Sequence, residues 1–468
     1  MPQRKPYTPR AYGSLITDHI LDVPRNAIWA GMGLGKTVCA LTAIDALIMC
    51  GHSSPTLVLA PLRVARDTWR DESRKWQHLS GLSVMPIVGV ERDRRLALKY
   101  DAAVYTTNYE QLPWLIDFYG ERWPFAHVIA DESTKLKGFR LRQGGVRAQA
   151  LGQVAHTKIK RFTELTGTPA SNGLIDLWGQ MWMLDRGERL GRTFQSFKDR
   201  WFQRSLDGYG CSPLAHAQEE IQDKLRDICL TIDAKDWFDL KDPIVNNIYL
   251  DLPAKARGLY ADMEKNFFIQ LEEHGIEAFN AAAKSQKLLQ LANGAVYLDP
   301  RVDDDNHPLA REWKETHDIK LQALEEIVEE CAGAPVLVSY QFKSDLARLK
   351  HAFKDGCDLS TSEGMRDFKT GTRRVGFGHP QSIGHGVDGL QQVCNTMVNF
   401  SQDWNLENRL QFLERIGPVR QLQAGFDRPV FVHNLIARDT IDELVLARVE
   451  SKRAVQDLLL EAMKRRKK

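Results

Sequence analysis

The sequence lacks the features that mark several specialised classes of protein. No stretch of about 18 apolar residues occurs, so we expect no membrane span. The seven cysteines include no Cys-x-x-Cys pair, which argues against a zinc site or a disulfide framework and favours a reducing compartment. No apolar segment follows the N-terminal Met1–Pro6, so we expect no signal peptide. A net charge of +2 is small, and only local clusters of charge can therefore indicate partners.

What remains is an ordinary globular composition on a long chain. The 468 residues are 43% hydrophobic and 26% charged, as is usual for globular proteins. This length is enough for two to four domains with large cores. Composition alone therefore leaves the function open, and the local motifs have to decide it.

The clearest motif is a glycine-rich loop between a predicted strand and a predicted helix. The loop Ala30–Thr37 reads Ala-Gly-Met-Gly-Leu-Gly-Lys-Thr. It follows the apolar run Ala27–Ala30 and precedes Val38–Ala43, which has the composition of a helix. Strand, glycine-rich loop and helix in this order are typical of a phosphate-binding loop, whereas an ordinary glycine turn is the alternative interpretation.

Each residue type in this loop suits the phosphates of ATP. Glycines such as Gly33 and Gly35 let the backbone approach phosphate oxygens closely, and the helix N-terminus adds N–H donors and partial positive charge. Lys36 is expected to reach the β- and γ-phosphates, and the Thr37 hydroxyl to bind Mg²⁺. We therefore predict ATP and Mg²⁺ as cofactors.

An acidic pair follows a later strand of the same region. Leu57–Pro61, Ala102–Glu110 and His127–Ala130 read as buried strands separated by helices, which predicts a parallel sheet with its ligand at the carboxyl ends of the strands. Asp131 at such an end can hold Mg²⁺, and Glu132 can orient or deprotonate the attacking water. The alternative is a solvated pair of surface carboxylates.

A basic segment without acidic residues comes next, and it is a candidate contact for the phosphate backbone of a nucleic acid. The alternative is a solvated loop whose charges pair with acids elsewhere. The candidate residues are Lys135, Lys137, Arg140, Arg142 and Arg147.

In this order the motifs resemble those of superfamily II helicases and translocases, and the Swi/Snf-type branch fits best. Gly-Leu-Gly-Lys-Thr, the strand that ends in Asp-Glu, and Thr-Gly-Thr-Pro-x-x-Asn over Thr166–Asn172 carry the resemblance. Val104–Leu112 is similar to the Thr-Tyr-Glu-x-Leu strand of that branch. The resemblance implies that Thr106, Thr166 and Thr168 contact nucleic acid and that Tyr12 contacts the nucleotide. The glutamine that reads adenine in the family is replaced here by Gly13.

The second half of the chain continues the resemblance. Pro335–Tyr340 is similar to the strand that opens the second RecA-like lobe of the family. Ser382–Gln391 is similar to Gly-x-Gly-Leu-Asn-Leu-Gln, with one residue more, and implies that Gly386 approaches the nucleotide. His385 lies in this loop and is not expected to be catalytic.

The arginine-finger motif of the family, Gln-x-x-x-Arg-x-x-Arg-x-Gly-Gln, has an imperfect counterpart here. Gln411 and Arg415 match its first two positions, but Pro418 occupies that of the second arginine. Because proline at this position interrupts a helix, we expect Gly417-Pro418 to end it and a following turn to bring Arg420 back toward the site. Gln411, Arg415 and Arg420 join Lys36, Asp131 and Glu132 as the predicted catalytic residues.

The resemblance implies an α/β fold of two tandem RecA-like parallel-sheet domains with helical insertions and a C-terminal helical brace. Residues 1–240 would form the N-terminal, ATP-binding domain, with a helical protrusion at about 174–240 whose aromatic residues serve as local core. Residues 241–440 would form the C-terminal helicase domain, with a helical insertion at about 254–330. Residues 441–468 would be the helical brace and a basic tail.

The function implied by the resemblance is ATP hydrolysis between two lobes that moves the protein along DNA, most simply duplex DNA. The compact chain resembles the stand-alone members carried by phages and bacteria. We therefore expect a cytoplasmic monomer in a bacterial or phage-infected cell, without membrane contact, and name no protein partner. An RNA-dependent helicase of the same fold, or a catalytically weak, ATP-gated DNA-binding or recruitment module, remains an alternative.

Overall fold

A computed structural model describes residues 4–142, 144–204, 211–274, 278–298, 312–384 and 386–464. His385 and the end of the predicted basic tail lie outside these residues. The chain forms two compact units: one contains the residues up to Asp239 and those from Lys452 on, and the other is Leu240–Ser451. Within the described ranges, none of the helices is both long enough and apolar enough to cross a membrane.

The first unit is built on a seven-stranded sheet in which every pair of neighbouring strands is parallel. The strand order β3-β4-β2-β5-β6-β1-β9 places the carboxyl ends of strands that are distant in sequence along one edge. A two-stranded hairpin, β7-β8, lies outside this sheet. The strands are β1 Arg25–Ala30, β2 Thr56–Ala60, β3 Val84–Pro86, β4 Val104–Asn108, β5 His127–Asp131, β6 Arg161–Thr166, β7 Phe202–Arg204, β8 Cys211–Pro213 and β9 Cys229–Ile232.

The central strands are almost entirely buried because helices cover the sheet. In β2, for example, all five residues of Thr56–Ala60 are buried. A π-helical turn, Val64–Thr68, runs directly into the third helix. The α-helices are α1 Ala11–Asp22, α2 Lys36–Met49, α3 Trp69–Lys75, α4 Glu91–Ala97, α5 Leu112–Tyr119, α6 Val146–Ala155, α7 Leu177–Asp185, α8 Phe194–Trp201 and α9 Ala217–Leu225.

The segment predicted as a helical protrusion differs from that expectation. It contains α7, α8 and α9, but Cys229–Ile232 forms the edge strand β9, which pairs with β1. The aromatic residues Trp178, Phe197 and Trp201 lie in the main core of the unit, together with residues of the sheet. The segment therefore completes the sheet as well as covering it, because its apolar side chains are buried against β1 and β6.

The second unit contains a six-stranded parallel sheet of order β10-β17-β16-β13-β15-β14. The predicted strand Pro335–Tyr340 is its β13. The predicted α/β fold with two parallel sheets is thus confirmed. The strands of the second unit, of which β11 and β12 lie outside the six-stranded sheet, are β10 Ile244–Leu250, β11 Ala295–Tyr297, β12 Trp313–Glu315, β13 Val336–Ser339, β14 Gly356–Asp358, β15 Val375–Gly378, β16 Thr396–Asn399 and β17 Phe431–Ala437.

The helices of this unit include two long ones between β10 and β11, within the range predicted as a helical insertion. The pair β11-β12 is an antiparallel hairpin in the same range. The helices are α10 Ala254–His274, α11 Ala278–Asn293, α12 Ile319–Glu330, α13 Lys343–Ala352, α14 Ser362–Lys369, α15 Pro380–Ile383, α16 Leu406–Leu413, α17 Pro418–Gln423 and α18 Ile441–Lys464, whose residues from Lys452 on belong to the first unit.

Candidate functional site

The glycine-rich loop connects β1 to the N-terminus of α2, as predicted. Gly33 and Gly35 have φ values of 78° and 71°, a left-handed backbone that glycine adopts without steric cost. Gly35 is the residue that caps α2. These conformations wrap the loop around the helix N-terminus, where N–H groups that lack helical partners can bind an anion.

The side chains of Lys36 and Thr37 lie in the first turn of this helix. The Lys36 ammonium donates hydrogen bonds to the carbonyl oxygens of Ala30 and Gly31, at 2.7 and 3.2 Å. Thr37 is half-buried. Lys36 is thus held over the loop by backbone carbonyl oxygens, and its contact with phosphate stays a prediction.

Asp131 is the last residue of β5, at the same edge of the sheet. Its carboxylate accepts a hydrogen bond from the Trp69 indole at 2.9 Å, and its backbone carbonyl accepts one from the Tyr109 hydroxyl at 2.9 Å. Glu132 follows in a left-handed conformation with a φ of 59°, which is uncommon for a residue with a side chain and is often found at functional sites.

The electrostatics connect the two motifs. Burial raises the pKa of the Asp131 carboxyl, while the hydrogen bond from Trp69 and the positive charge of Lys36 oppose that shift. The charge of Lys36 in the glycine-rich loop thus acts on the carboxyl at the end of β5. Within the described residues no group of three or more His, Cys, Asp or Glu side chains could hold a metal ion. One hydroxyl, Thr37, and one carboxylate, Asp131, fit Mg²⁺, which usually takes few protein ligands and keeps water or phosphate oxygens as the rest.

The Thr-Gly-Thr-Pro turn after β6 packs against the phosphate loop. A Cβ atom on Gly167 would lie 3.3 Å from the Ala30 carbonyl oxygen and 3.6 Å from the Met32 nitrogen. The Thr166 hydroxyl accepts a hydrogen bond from the Thr168 backbone at 3.0 Å. Thr166 and Thr168 are both buried, so in this structure they shape the turn, and their contact with nucleic acid stays a prediction.

The third predicted threonine, Thr106, is also buried, in β4, and its hydroxyl donates to the Ala65 carbonyl oxygen at 2.5 Å. That partner lies in the π-helical turn. Sequence reasoning missed the two residues that bind Asp131, Trp69 and Tyr109. Trp69 lies in the segment between the predicted strands Leu57–Pro61 and Ala102–Glu110, and nothing in the sequence there indicates a carboxylate partner.

The basic residues fall into different environments. Lys135 and Arg142 are exposed, and Arg147 is exposed but pairs with Glu110 at 2.8 Å. Lys137 lies 3.6 Å from Asp176. Arg140 packs its guanidinium 3.3 Å from the centroid of the Phe194 ring and donates to backbone carbonyls.

Arg140 is therefore a packing residue in this structure, and the alternative of internal pairing describes Lys137 and Arg147. Lys135 and Arg142 have the exposure that a nucleic-acid contact requires. DNA binding by this segment stays a prediction.

Tyr12 lies in the first turn of α1, buried against Trp237 and Phe238, with ring centroids 5.6 and 6.0 Å away. At the next position, a Cβ atom on Gly13 would lie 3.4 Å from the Cys39 sulfur. The α1–α2 contact therefore occupies the space around Gly13. The role of Tyr12 toward the nucleotide stays a prediction.

In the second unit, the Gly-rich loop and the predicted finger residues lie together. Arg415 donates to the Gln411 and Val387 carbonyl oxygens at 3.1 and 2.7 Å, and Arg420 donates to Asp388 at 2.6 Å. Gly386, in the same loop, has a φ of 64°. Gln411 is buried within α16.

A helix break separates Arg415 from Arg420, as expected, but the first helix already ends before Arg415 and not at Gly417-Pro418. The helix α16 ends at Leu413, and α17 begins at Pro418. Proline is tolerated at the first position of a helix, where its missing N–H would have no helical partner. The break lets Arg420 reach the same loop that Arg415 contacts.

A family model described as an SNF2-related domain matches residues 25–300. Protein p41 of Acyrthosiphon pisum secondary endosymbiont phage 1 is 52% identical over 469 residues, covering 99% of this chain and 100% of its own length.

More distant relatives are longer proteins. Protein CHROMATIN REMODELING 5 of Arabidopsis thaliana is 22% identical over 92% of this chain, which spans 26% of that protein. Nuclear protein STH1/NPS1 of Saccharomyces cerevisiae is 24% identical over 96% of this chain, which spans 34% of it.

The SWI2/SNF2 ATPase core of Sulfolobus solfataricus, solved in complex with dsDNA, aligns over 98% of this chain and 95% of its own, with 20% identity and a TM-score of 0.44. The family model covers more than half of the chain, and the phage protein matches almost all of it. This chain belongs to the SNF2-related family and carries an ATPase domain of that family.

Proposed function

We propose that this chain is an ATP-dependent translocase on double-stranded DNA. The observation that carries the proposal is the arrangement at one edge of the first sheet. The phosphate loop follows β1, and the Asp131–Glu132 pair stands at the carboxyl end of β5 in the same sheet. The charge of Lys36 acts on the Asp131 carboxyl. A cation for phosphates beside a carboxylate for a metal is the arrangement that nucleotide hydrolysis requires.

The chain's own residues divide the work. The amide groups of the loop and the Lys36 ammonium bind the phosphates, the ammonium exchanging the carbonyl oxygens of Ala30 and Gly31 for phosphate oxygens. Thr37 and Asp131 would hold Mg²⁺, which when bound neutralises charge on the phosphates. Glu132 orients the attacking water and accepts its proton.

Duplex DNA as the partner is supported by the relatives and by exposed charge. One relative is named for chromatin remodelling, and the exposed cations Lys135 and Arg142 follow the Asp131–Glu132 pair in the sequence. The phage relative fits an origin in a phage or bacterium. A cytoplasmic location and a monomeric state stay predictions.

The test is steady-state ATP hydrolysis with no nucleic acid, with duplex DNA, and with RNA of equal length. We expect duplex DNA to stimulate turnover and Lys36→Ala to abolish it, since no other side chain of the loop is a cation. Lys99→Ala, at an exposed lysine of the same unit, is the matched control. Stimulation by RNA alone would favour the RNA-dependent helicase, and DNA binding without turnover would favour the recruitment module.

The salt dependence of DNA binding tests the basic segment. Replacing Lys135, Arg142 and Arg147 with glutamine should weaken binding, and each lost phosphate contact should flatten the log–log salt slope by about 0.9. Arg140 is left unchanged because it packs on Phe194. Lys160→Gln, an exposed lysine just before the amino end of β6, is the control. An unchanged slope in the triple variant would mean that the segment does not touch DNA.

A further inference from the structure

The helical segment that follows β2 is not a regular α-helix throughout: it is α-helical at Leu62 and Arg63 and then changes its hydrogen-bond pattern. Val64–Thr68 form a π-helical turn, and the Trp69 backbone N–H bonds to the Val64 carbonyl five residues earlier. An α-helix would bond four residues back. Single π turns are rare and are often found at functional sites, because the additional residue rotates the side chains that follow it.

A buried hydroxyl on a neighbouring strand braces this turn. The Thr106 hydroxyl in β4 donates to the carbonyl oxygen of Ala65 at 2.5 Å, and both residues are fully buried. The bond connects the turn to the sheet, so its conformation is tied to a strand rather than left to the short α3.

Trp69 directly follows the π turn and lies at the carboxyl edge of the sheet. Its side chain is 0% exposed, and its indole N–H donates to the Asp131 carboxylate at 2.9 Å across 62 residues of sequence. The Tyr109 hydroxyl holds the backbone carbonyl of the same residue at 2.9 Å. Asp131 is therefore held at both its side chain and its main chain by groups that do not themselves bind phosphate or metal.

We propose that Trp69, aimed by the Thr106-braced π turn, is a positioning residue that orients the Asp131 carboxylate toward Mg²⁺. This inference rests on the proposed function. A donor fixed on one carboxylate oxygen restricts rotation of the group and leaves its other oxygen in a defined direction. Hydrogen-bond partners of metal ligands act in this way, and removing one typically lowers metal affinity by about 10- to 100-fold.

The test compares Trp69→Phe with Trp76→Phe. Both substitutions remove an indole N–H that donates to a carboxylate, to Asp131 for Trp69 and to Glu72, at 2.7 Å, for Trp76. The readout is binding of a fluorescent, non-hydrolysable ATP analogue during an Mg²⁺ titration. We expect Trp69→Phe to raise the half-saturating Mg²⁺ concentration about tenfold or more. Trp76→Phe should match the wild type, and affinity in EDTA should be equal in all three proteins.

A second pair of variants tests the π turn without opening a cavity at Trp69. Thr106→Val removes the hydroxyl on Ala65 but keeps the β-branched shape, and Thr107→Val removes a hydroxyl bonded to the Ile87 carbonyl at 2.7 Å in the same strand. We expect Thr106→Val to shift the Mg²⁺ titration in the same direction as Trp69→Phe, and Thr107→Val to leave it unchanged.

The outcomes separate the two levels of inference. A wild-type protein without Mg²⁺-dependent nucleotide binding overturns the proposed function and this assignment with it. Normal Mg²⁺ dependence in the wild type, with no shift in Trp69→Phe or Thr106→Val, overturns the positioning role alone. A shift in Trp69→Phe but not in Thr106→Val retains Trp69 and overturns the contribution of the π turn.

Discussion

A buried carboxyl in the first sheet predicts an unusual dependence of stability on pH. Glu164, in the middle of β6, is 0% exposed, and neither of its carboxyl oxygens has a hydrogen-bond partner among the described residues. Burial raises the pKa of Glu164 well above its ordinary value of 4.5; the positive charge of Arg25 opposes this shift and Asp185 adds to it. The folded protein therefore keeps a proton that the unfolded chain releases.

The sign and size of the effect follow from linkage. Below pH 4.5 both states hold the proton, and this group does not change the free energy of unfolding. Above pH 4.5 the unfolded state loses its proton first, so stability falls by about 1.36 kcal/mol per pH unit until the pH reaches the pKa of the folded state. Over the 2.5 pH units between 4.5 and 7 the accumulated loss is therefore at most about 3.4 kcal/mol.

Glu164→Gln removes the titration while keeping size and polarity. We expect the variant to gain stability relative to the wild type as pH rises from 5 to 8, measured by urea unfolding at several pH values. Tryptophan fluorescence reports mainly on the first unit, because nine of the eleven tryptophans precede Leu240. Glu188→Gln, at an exposed position, is the control. A difference between Glu164→Gln and the wild type that does not change with pH would refute the reasoning.

Three further predictions concern catalysis. Glu132→Gln should bind ATP almost normally but turn over about 10²-fold or more slowly, and unchanged turnover would exclude Glu132 as the base. Arg415→Ala and Arg420→Ala should each keep ATP and DNA binding but lose about 10³-fold or more of DNA-stimulated turnover, if both act as fingers. Normal turnover in Arg420→Ala alone would make its pair with Asp388 structural. Because Gly13 has no side chain to read adenine, selectivity for ATP over GTP should be weaker than in relatives that carry glutamine there, and an ATP preference of about 10³-fold in hydrolysis would show that another residue reads adenine.

The local motifs could be recognised in the sequence because each depends on residues that are close together along the chain. The loop from Gly31 to Thr37 and the Asp131–Glu132 pair each depend on a few consecutive residues between a strand and a helix. The same holds for the start of α17 at Pro418, since proline is tolerated at the first position of a helix. Alternating apolar segments likewise predicted the first parallel sheet, since that pattern depends on local periodicity and helical connections, whereas the second sheet was implied by the resemblance to a family.

Strand order and the partners it creates were decided only by the tertiary structure. The segment Cys229–Ile232 is too short for its composition to predict an edge strand. It forms one because it pairs with β1. The same applies to Arg140, which reads as a DNA contact in a basic segment but packs on Phe194. Glu164 reads as a polar position in a strand but is enclosed by the sheet and its helices.

The contact between Trp69 and Asp131 shows the physical reason most clearly. Periodicity records which face of an element is apolar, but it does not record which strands become neighbours. The helix after β2 and the end of β5 meet because β2 pairs with β5, and the π turn that aims the indole is held by a hydroxyl from β4. The sequence by itself determined the phosphate loop and the acidic pair, whereas the side chains that hold that pair in place depend on the order in which the strands assemble.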